Sequence, residues 1–304
     1  MSRANGNEYG VRAGTLALLM VASTAKRHIL RELLDGPKSI SEMHEEDGSP
    51  AVVGELEDAA VKITPTGREM LFVSFVLERW LQSSPLGALP LGSDAADDAT
   101  AALACGWSTT LTHTLAREPL TFPQMSEAVA LSYRSLEDHV DAMEQTGLLV
   151  RRPGGSGGAR YAVTDWLRAG IAPLSAAARL ERVSTIEDAL PIDALDVEAA
   201  FMLTLPMLEL PTDLSGTCLL GVEVEGGPKP GLAGATARID GGRVVSCVRQ
   251  LDENADAWAT ASAPDWLDTV IEPDAKRVST GGNRLLASIL LDRLHRVLFG
   301  IPVA

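Results

Sequence analysis

Residues 132–164 read SYRSLEDHVDAMEQTGLLVRRPGGSGGARYAVT. Ser132 is placed to cap a helix, since its hydroxyl can accept from the free amides of a first turn. Leu136, Val140 and Met143 follow at helical spacing, and Gly147 stands where a left-handed residue ends a helix. The pattern predicts an amphipathic helix from Tyr133 to about Thr146. Leu148, Leu149 and Val150 then read as a short strand, and Arg160 to Val163 as its partner. The PGGSGG between them is the hairpin loop. Arg151, Arg152 and Arg160 place positive charge at the base of that hairpin.

Upstream, WSTTLTHTLAREPLTFPQMSEAVAL predicts two more helices. One runs from about Trp107 to Arg117. The other starts near Thr121 and turns Met125 and Val129 inward. The order is helix, helix, turn, helix, strand, loop, strand. A helix so placed can lie in a DNA major groove, with the hairpin reaching neighbouring phosphates. The pattern is similar to a winged helix-turn-helix. On that reading Ser132, Tyr133, Arg134, Ser135 and His139 face double-stranded DNA, and Arg151, Arg152 and Arg160 meet phosphates.

A second copy lies toward the N-terminus. Ile29, Leu30, Leu33 and Leu34 make one helix face, and Gly36-Pro37 ends it. Ser39 with Glu42 forms a capping-box pattern. ITPTGREMLFVSFVLERWL then matches AVTDWLRAGIAPLSAAARLE in position: a strand ending in Thr, then a long helix. ILRELLDGPKSISEM followed by ITPTGREML resembles the HxlR-type, MarR-like bacterial winged-helix regulators, and residues 107–182 resemble the same type. The resemblance covers about half the chain. It implies a transcription regulator that binds DNA and a ligand, and the three scattered cysteines make a reduced cytoplasm the expected location.

The first copy departs from that pattern. Thr121 to Thr164 spans 43 positions, but Ser39 to Thr64 only 25. Between Glu46 and Ile63 either the wing is lost or a segment is absent from this chain. Ser49-Pro50 can start a helix there.

The expected organisation is mainly α with α+β: a shortened first winged unit (1–90), a solvated linker (91–106) ending in a helix start, a second winged unit (107–182) and a C-terminal α+β domain (183–304). In the last, a helix over Asp196–Leu205 precedes strands over Gly216–Glu225, Gly234–Asp240 and Arg243–Gln250, with Asp240-Gly241-Gly242 as a hairpin turn. ADAWATASAPDW adds a strand and a helix, and NRLLASILLDRLHRVLFG a closing amphipathic helix. This order resembles the sterol-carrier-protein-like fold, which implies an apolar cavity between sheet and helices. Phe201, Met202, Trp258, Trp266 and Phe299 are the large polarisable groups suited to its wall.

The charge agrees with a divided molecule. The whole chain carries −15, with the N-terminal 106 residues at −6 and residues 183–304 at −9, while residues 107–182 are neutral. An acidic chain does not bind nucleic acid indiscriminately. No apolar run reaches the ~18 residues of a membrane span, and the polar MSRANGNEYG is not a secretory signal. Cys105, Cys218 and Cys247 are far apart, and the five histidines lack ligand spacing, so no metal, disulfide or cofactor is expected. No nucleophile elbow or phosphate loop is present, and an enzyme is not expected. The long helices Arg68–Leu81 and Asp165–Glu181 are expected to pack on each other or on the partner chain of a homodimer. A regulator sensing an apolar small molecule accounts for these features. The alternative is a protein derived from one, which sequesters a hydrophobic compound.

Overall fold

Thr64 and Pro65 open the longest helix among the described residues for a local reason. The Thr64 hydroxyl accepts from the Gly67 amide at 3.0 Å, and proline occupies the first turn, where no amide is needed. In this computed structural model, residues 12–22, 64–154, 158–184, 190–224, 231–273 and 276–300 are described. The expected helices and caps of residues 23–63 lie outside them.

The DNA-facing half of the sequence reading is built of helices and a small sheet. α1 (Thr15–Ala22) is apolar and enters through the buried Glu181, whose carboxylate accepts from the amides of Gly14 and Ala17. α2 (Pro65–Gln82) buries Val73, Val76, Leu77, Trp80 and Leu81. α3 (Asp94–Ser108) and α4 (Leu111–Leu115) follow. Then come β1 (Leu120–Thr121), α5 (Phe122–Ala128), α6 (Tyr133–Gln145), β2 (Leu149–Arg152) and β3 (Arg160–Val163). The three strands pair antiparallel in the order β1-β3-β2.

The opening stretch folds as its residues suggest. Ser132 accepts from the Ser135 amide at 3.1 Å, and Leu136, Val140 and Met143 are buried. Gly147 takes φ +80°. The Leu148 amide returns to the Met143 carbonyl at 2.8 Å and the Gly147 amide to that of Glu144 at 3.1 Å, the paired bonds of a Schellman C-cap.

Three expectations are corrected. The expected linker 91–106 is mostly α3. Ser93 caps it, Asp94 and Asp97 sit in its first turn where the helix dipole favours acids, and Ala96, Ala99 and Leu103 are fully buried. Thr110, at φ +62°, breaks the helix expected over Trp107–Arg117. The helix expected over Asp165–Glu181 is also divided, into α7 (Asp165–Ala169) and α8 (Ile171–Ser184). Pro173 has no amide to offer the Ala169 carbonyl. At Gly170 an added Cβ would come 2.9 Å from Leu103 of α3.

α2 packs along α8 within one chain. Beside them Trp80 of α2 and Trp166 of α7 stack at 4.4 Å and 6°, and each indole N–H donates to the other's carbonyl at 2.9 Å. Arg179 of α8 is buried, pairs with Glu69 of α2 at 2.9 Å and lies over the Phe72 ring.

The C-terminal part is α+β. After α9 (Ala194–Thr204) come β4 (Gly216–Val224), β5 (Gly231–Asp240), β6 (Arg243–Val248), β7 (Ala257–Ala261), α10 (Ala263–Ile271), β8 (Ser279–Gly282) and α11 (Arg284–Phe299). The sheet order is β6-β5-β4-β7-β8, with only β4 and β7 parallel among these neighbours. Gly241 (φ +55°) and Gly242 (φ +76°) make the β5–β6 turn, the backbone that a two-residue hairpin wants. β8 was not expected from the sequence, because STGG carries no apolar alternation. One continuous core joins α2, α3 and α8 to α9, α10 and the inner face of this sheet. Among the described residues no helix is long and apolar enough to cross a membrane.

Candidate functional site

Two places bring the candidate residues together: the exposed surface of α6 with its hairpin, and a cavity where the two halves of the chain meet.

On the first, Ser132, Tyr133 and Arg134 are exposed at the start of α6. The Ser132 and Ser135 hydroxyls bond each other at 2.8 Å, so both belong to the cap. Tyr133 rests its ring on Phe122 at 4.8 Å and remains 65% exposed. His139 does not join them. It is half-buried and faces α3, in an open cleft of about 530 Å³ that also holds Cys105, Asp98 and Gln145. The outer face of α6 instead carries Glu137, Asp138 and Asp141, all exposed. Their spacing was visible in the sequence as the acidic side of the helix.

The hairpin is different. Arg151, Arg152 and Arg160 are exposed, and Arg152 lies directly opposite Arg160 across the β2–β3 ladder. Like charges in that position destabilise a strand pair. No acid relieves them: among the described residues none of Arg117, Arg134, Arg151, Arg152 and Arg160 forms an ion pair. Arg12, Arg168, Arg179, Arg182, Arg249, Arg277 and Arg296 do, whereas Arg68, Arg79, Arg238, Arg243, Arg284 and Arg293 also lack one, so the hairpin is distinguished by the placing of Arg152 against Arg160. Arg160 reaches only the Pro119 carbonyl, at 3.4 Å. Arg117, two residues earlier and exposed, extends the basic surface and was missed because it stands at a helix end in the sequence reading.

The cavity is narrow, about 50 Å³, and lined almost wholly by apolar groups. Its walls are Trp107 of α3, Leu174 and Ser175 of α8, Asp196 and Phe201 of α9, and Trp266 of α10, with their neighbours. It lies between helices of the two halves, and no strand contributes, in contrast to the expected space between sheet and helices. Of the five expected wall residues only Phe201 and Trp266 share it, edge to face at 4.9 Å. Trp266 is fixed there by its indole N–H, which donates to the Gly221 carbonyl at 2.8 Å. Met202 is buried elsewhere, its Sδ 3.5 Å from Cys247 Sγ. Trp258 is 39% exposed on the outer sheet face, flat over Gly281, where a Cβ would approach the ring to 2.3 Å. Phe299 packs on Phe72 in a separate groove. Trp258 alternates outward because β7 presents every second residue to solvent.

The polar end of the cavity is Asp196, 2% exposed. Its Oδ1 accepts from Arg12 at 2.6 Å and bonds His113 Nε2 at 2.9 Å, and Oδ2 accepts from the Asp193 amide at 3.2 Å. Burial pushes its pKa up. The His113 hydrogen bond and charge, Arg12 and the Asp193 amide together outweigh burial and hold the carboxyl below its usual range. The His113 ring lies 4.1 Å from that of Trp107, tilted by 40°, and its buried Nδ1 has no hydrogen-bond partner among the described residues. Sequence reasoning missed this group because its members are 184 and 83 positions apart.

Burial pushes the Cys218 and Cys247 thiols up to about 12, so both stay protonated near neutrality. The described residues hold no group of three or more His, Cys, Asp or Glu able to bind a metal. No protein-family model, curated protein or solved structure matches the chain.

Proposed function

We propose that the chain is a DNA-binding transcriptional regulator that responds to a small apolar molecule, with residues 107–182 acting as a winged helix-turn-helix. One observation carries the reading: the exposed ribbon β2–β3 sets Arg152 directly opposite Arg160, with Arg151 beside them, and among the described residues none of the three has an acidic partner. Phosphates are the partners such a ribbon suits, and Arg117 and Arg134 widen the surface. The acids on α6 limit base contacts to its first turn, around Tyr133 and Arg134. The wing and its phosphate contacts then supply most of the affinity. The first winged unit, joined through α2 and α8, takes the place of the second chain of a dimeric regulator.

Those same acids, Glu137, Asp138 and Asp141, favour a second reading: a chain that no longer binds DNA and sequesters a hydrophobic compound. Selection with the full chain from a library of randomised duplexes of roughly 30 base pairs, about three helical turns, separates the two. Enrichment of one sequence over the pool supports the regulator. Failure to enrich any sequence, with an apolar compound retained in native mass spectrometry, supports sequestration.

A further inference from the structure

We infer that the cavity between α8 and α9 binds a small, uncharged, largely apolar molecule carrying one O–H or N–H donor, and that occupancy is transmitted to the wing through His113. The binding stands by itself; the effect on the wing rests on the regulator reading.

The lining defines the chemistry. Trp107, Phe201 and Trp266 offer three aromatic surfaces, which suit a flat ring. An ionised carboxylate has about four acceptor positions, and Asp196 uses three, so one remains for a ligand donor. Ser175 also lines the cavity, half-buried, and its hydroxyl makes no hydrogen bond among the described residues. Charge argues for a neutral guest. An anion would face the Asp196 carboxylate, and a cation would compete with Arg12 for it.

Size supplies the coupling. One water needs roughly 10–15 Å³, so about 50 Å³ holds only three or four heavy atoms without movement. A six-membered ring must therefore part α8 from α9 and α10. Asp196 sits in the first turn of α9 and is tied to His113 on α4. α4 packs on both α9 and β3, the strand that carries Arg160. Displacing α9 pulls on His113, and α4 is the element between that pull and the wing.

The test uses phenol as probe, toluene as an isostere without the donor, and benzoate as an anionic ring compound of similar size. Binding to the full chain is measured by calorimetry and by the ¹H–¹⁵N signals of the His113 ring. Phenol should bind about tenfold more tightly than toluene, the worth of one hydrogen bond, and benzoate should not compete. Ser175→Ala should narrow the phenol–toluene difference. Ala200→Leu should fill the cavity and abolish both affinities while the far-ultraviolet spectrum stays native. Trp258→Phe, on the outer sheet face, should leave all affinities unchanged. Equal binding of phenol and toluene, or binding that survives Ala200→Leu, would overturn the site. Phenol binding with unmoved His113 signals would overturn the transmission. Loss of DNA binding in the absence of phenol sinks only the regulator reading, because calorimetry and the His113 signals need no DNA.

Discussion

Replacing Trp80 or Trp166 by Phe tests how the first long helix is held to the second half of the chain. Each substitution keeps an aromatic ring and removes one buried indole N–H, whose bond to the opposite carbonyl measures 2.9 Å. A hydrogen bond of this kind contributes about 1 kcal/mol net. The abandoned carbonyls are not orphaned. Trp166 O still accepts from the Gly170 amide at 3.1 Å, and Trp80 O from the Ser83 amide at 3.1 Å and hydroxyl at 2.8 Å. No desolvation penalty is added there. The smaller ring leaves a void at a site 3–5% exposed, which costs roughly another 1–2 kcal/mol. Each single variant should therefore lose about 2–3 kcal/mol in urea unfolding followed by circular dichroism. The stacked rings, 4.4 Å apart and nearly parallel, should couple by about 0.5–1.5 kcal/mol in the double-mutant cycle. Losses below about 0.5 kcal/mol that add within about 0.3 kcal/mol would refute the reasoning, because contacting residues do not behave so.

Two further outcomes follow from buried charge. Arg179→Met should destabilise by about 2–4 kcal/mol in the same unfolding assay, because it strands Glu69, whose side chain is only 23% exposed. The Glu272 partner, 70% exposed, contributes little to that loss. Asp196→Asn should cost stability at pH 7, and the difference from the parent should shrink on acidification. The Asp196 carboxyl is depressed in the folded chain, so its contribution is present above the unfolded value near ~3.9 and is lost as pH falls through the lower folded value. A difference that stays constant from pH 7 to strongly acid solution would contradict the ion pair.

Much of the helix and hairpin pattern was legible because local chemistry sets it. Ser132, Leu136, Val140, Met143 and Gly147 fix the bounds of α6 by capping and spacing, and Gly241-Gly242 fixes a turn. α3 was hidden because DAADDATAAL looks like a solvated connector. Asp94 and Asp97 in fact sit on the first turn, and Ala96, Ala99 and Ala102 against the core. The break at Gly170 depends on Leu103, far away in sequence, and could not be seen locally. The arginines of the β2–β3 hairpin were legible as charge, but their lack of acidic partners was not. The cavity was the least legible. Asp196, His113, Ser175 and Trp107 come from three separate segments, and no period or motif joins them. Large aromatic side chains alone pointed to Trp258 and Phe299, which long-range packing sends elsewhere.

DNA affinity as a function of salt tests the central claim most directly. Fluorescence anisotropy with a selected duplex and a scrambled one would compare the full chain with its Arg151→Ala/Arg152→Ala variant from about 50 to 200 mM salt. The expected result is binding by the parent, with a slope of log affinity on log salt that the variant lowers by about 1–2, since each phosphate no longer neutralised removes ~0.9. The variant should weaken both duplexes by a similar factor, as phosphate contacts carry no sequence. A parent chain that binds neither duplex at low salt, or a variant with an unchanged slope, would contradict the account.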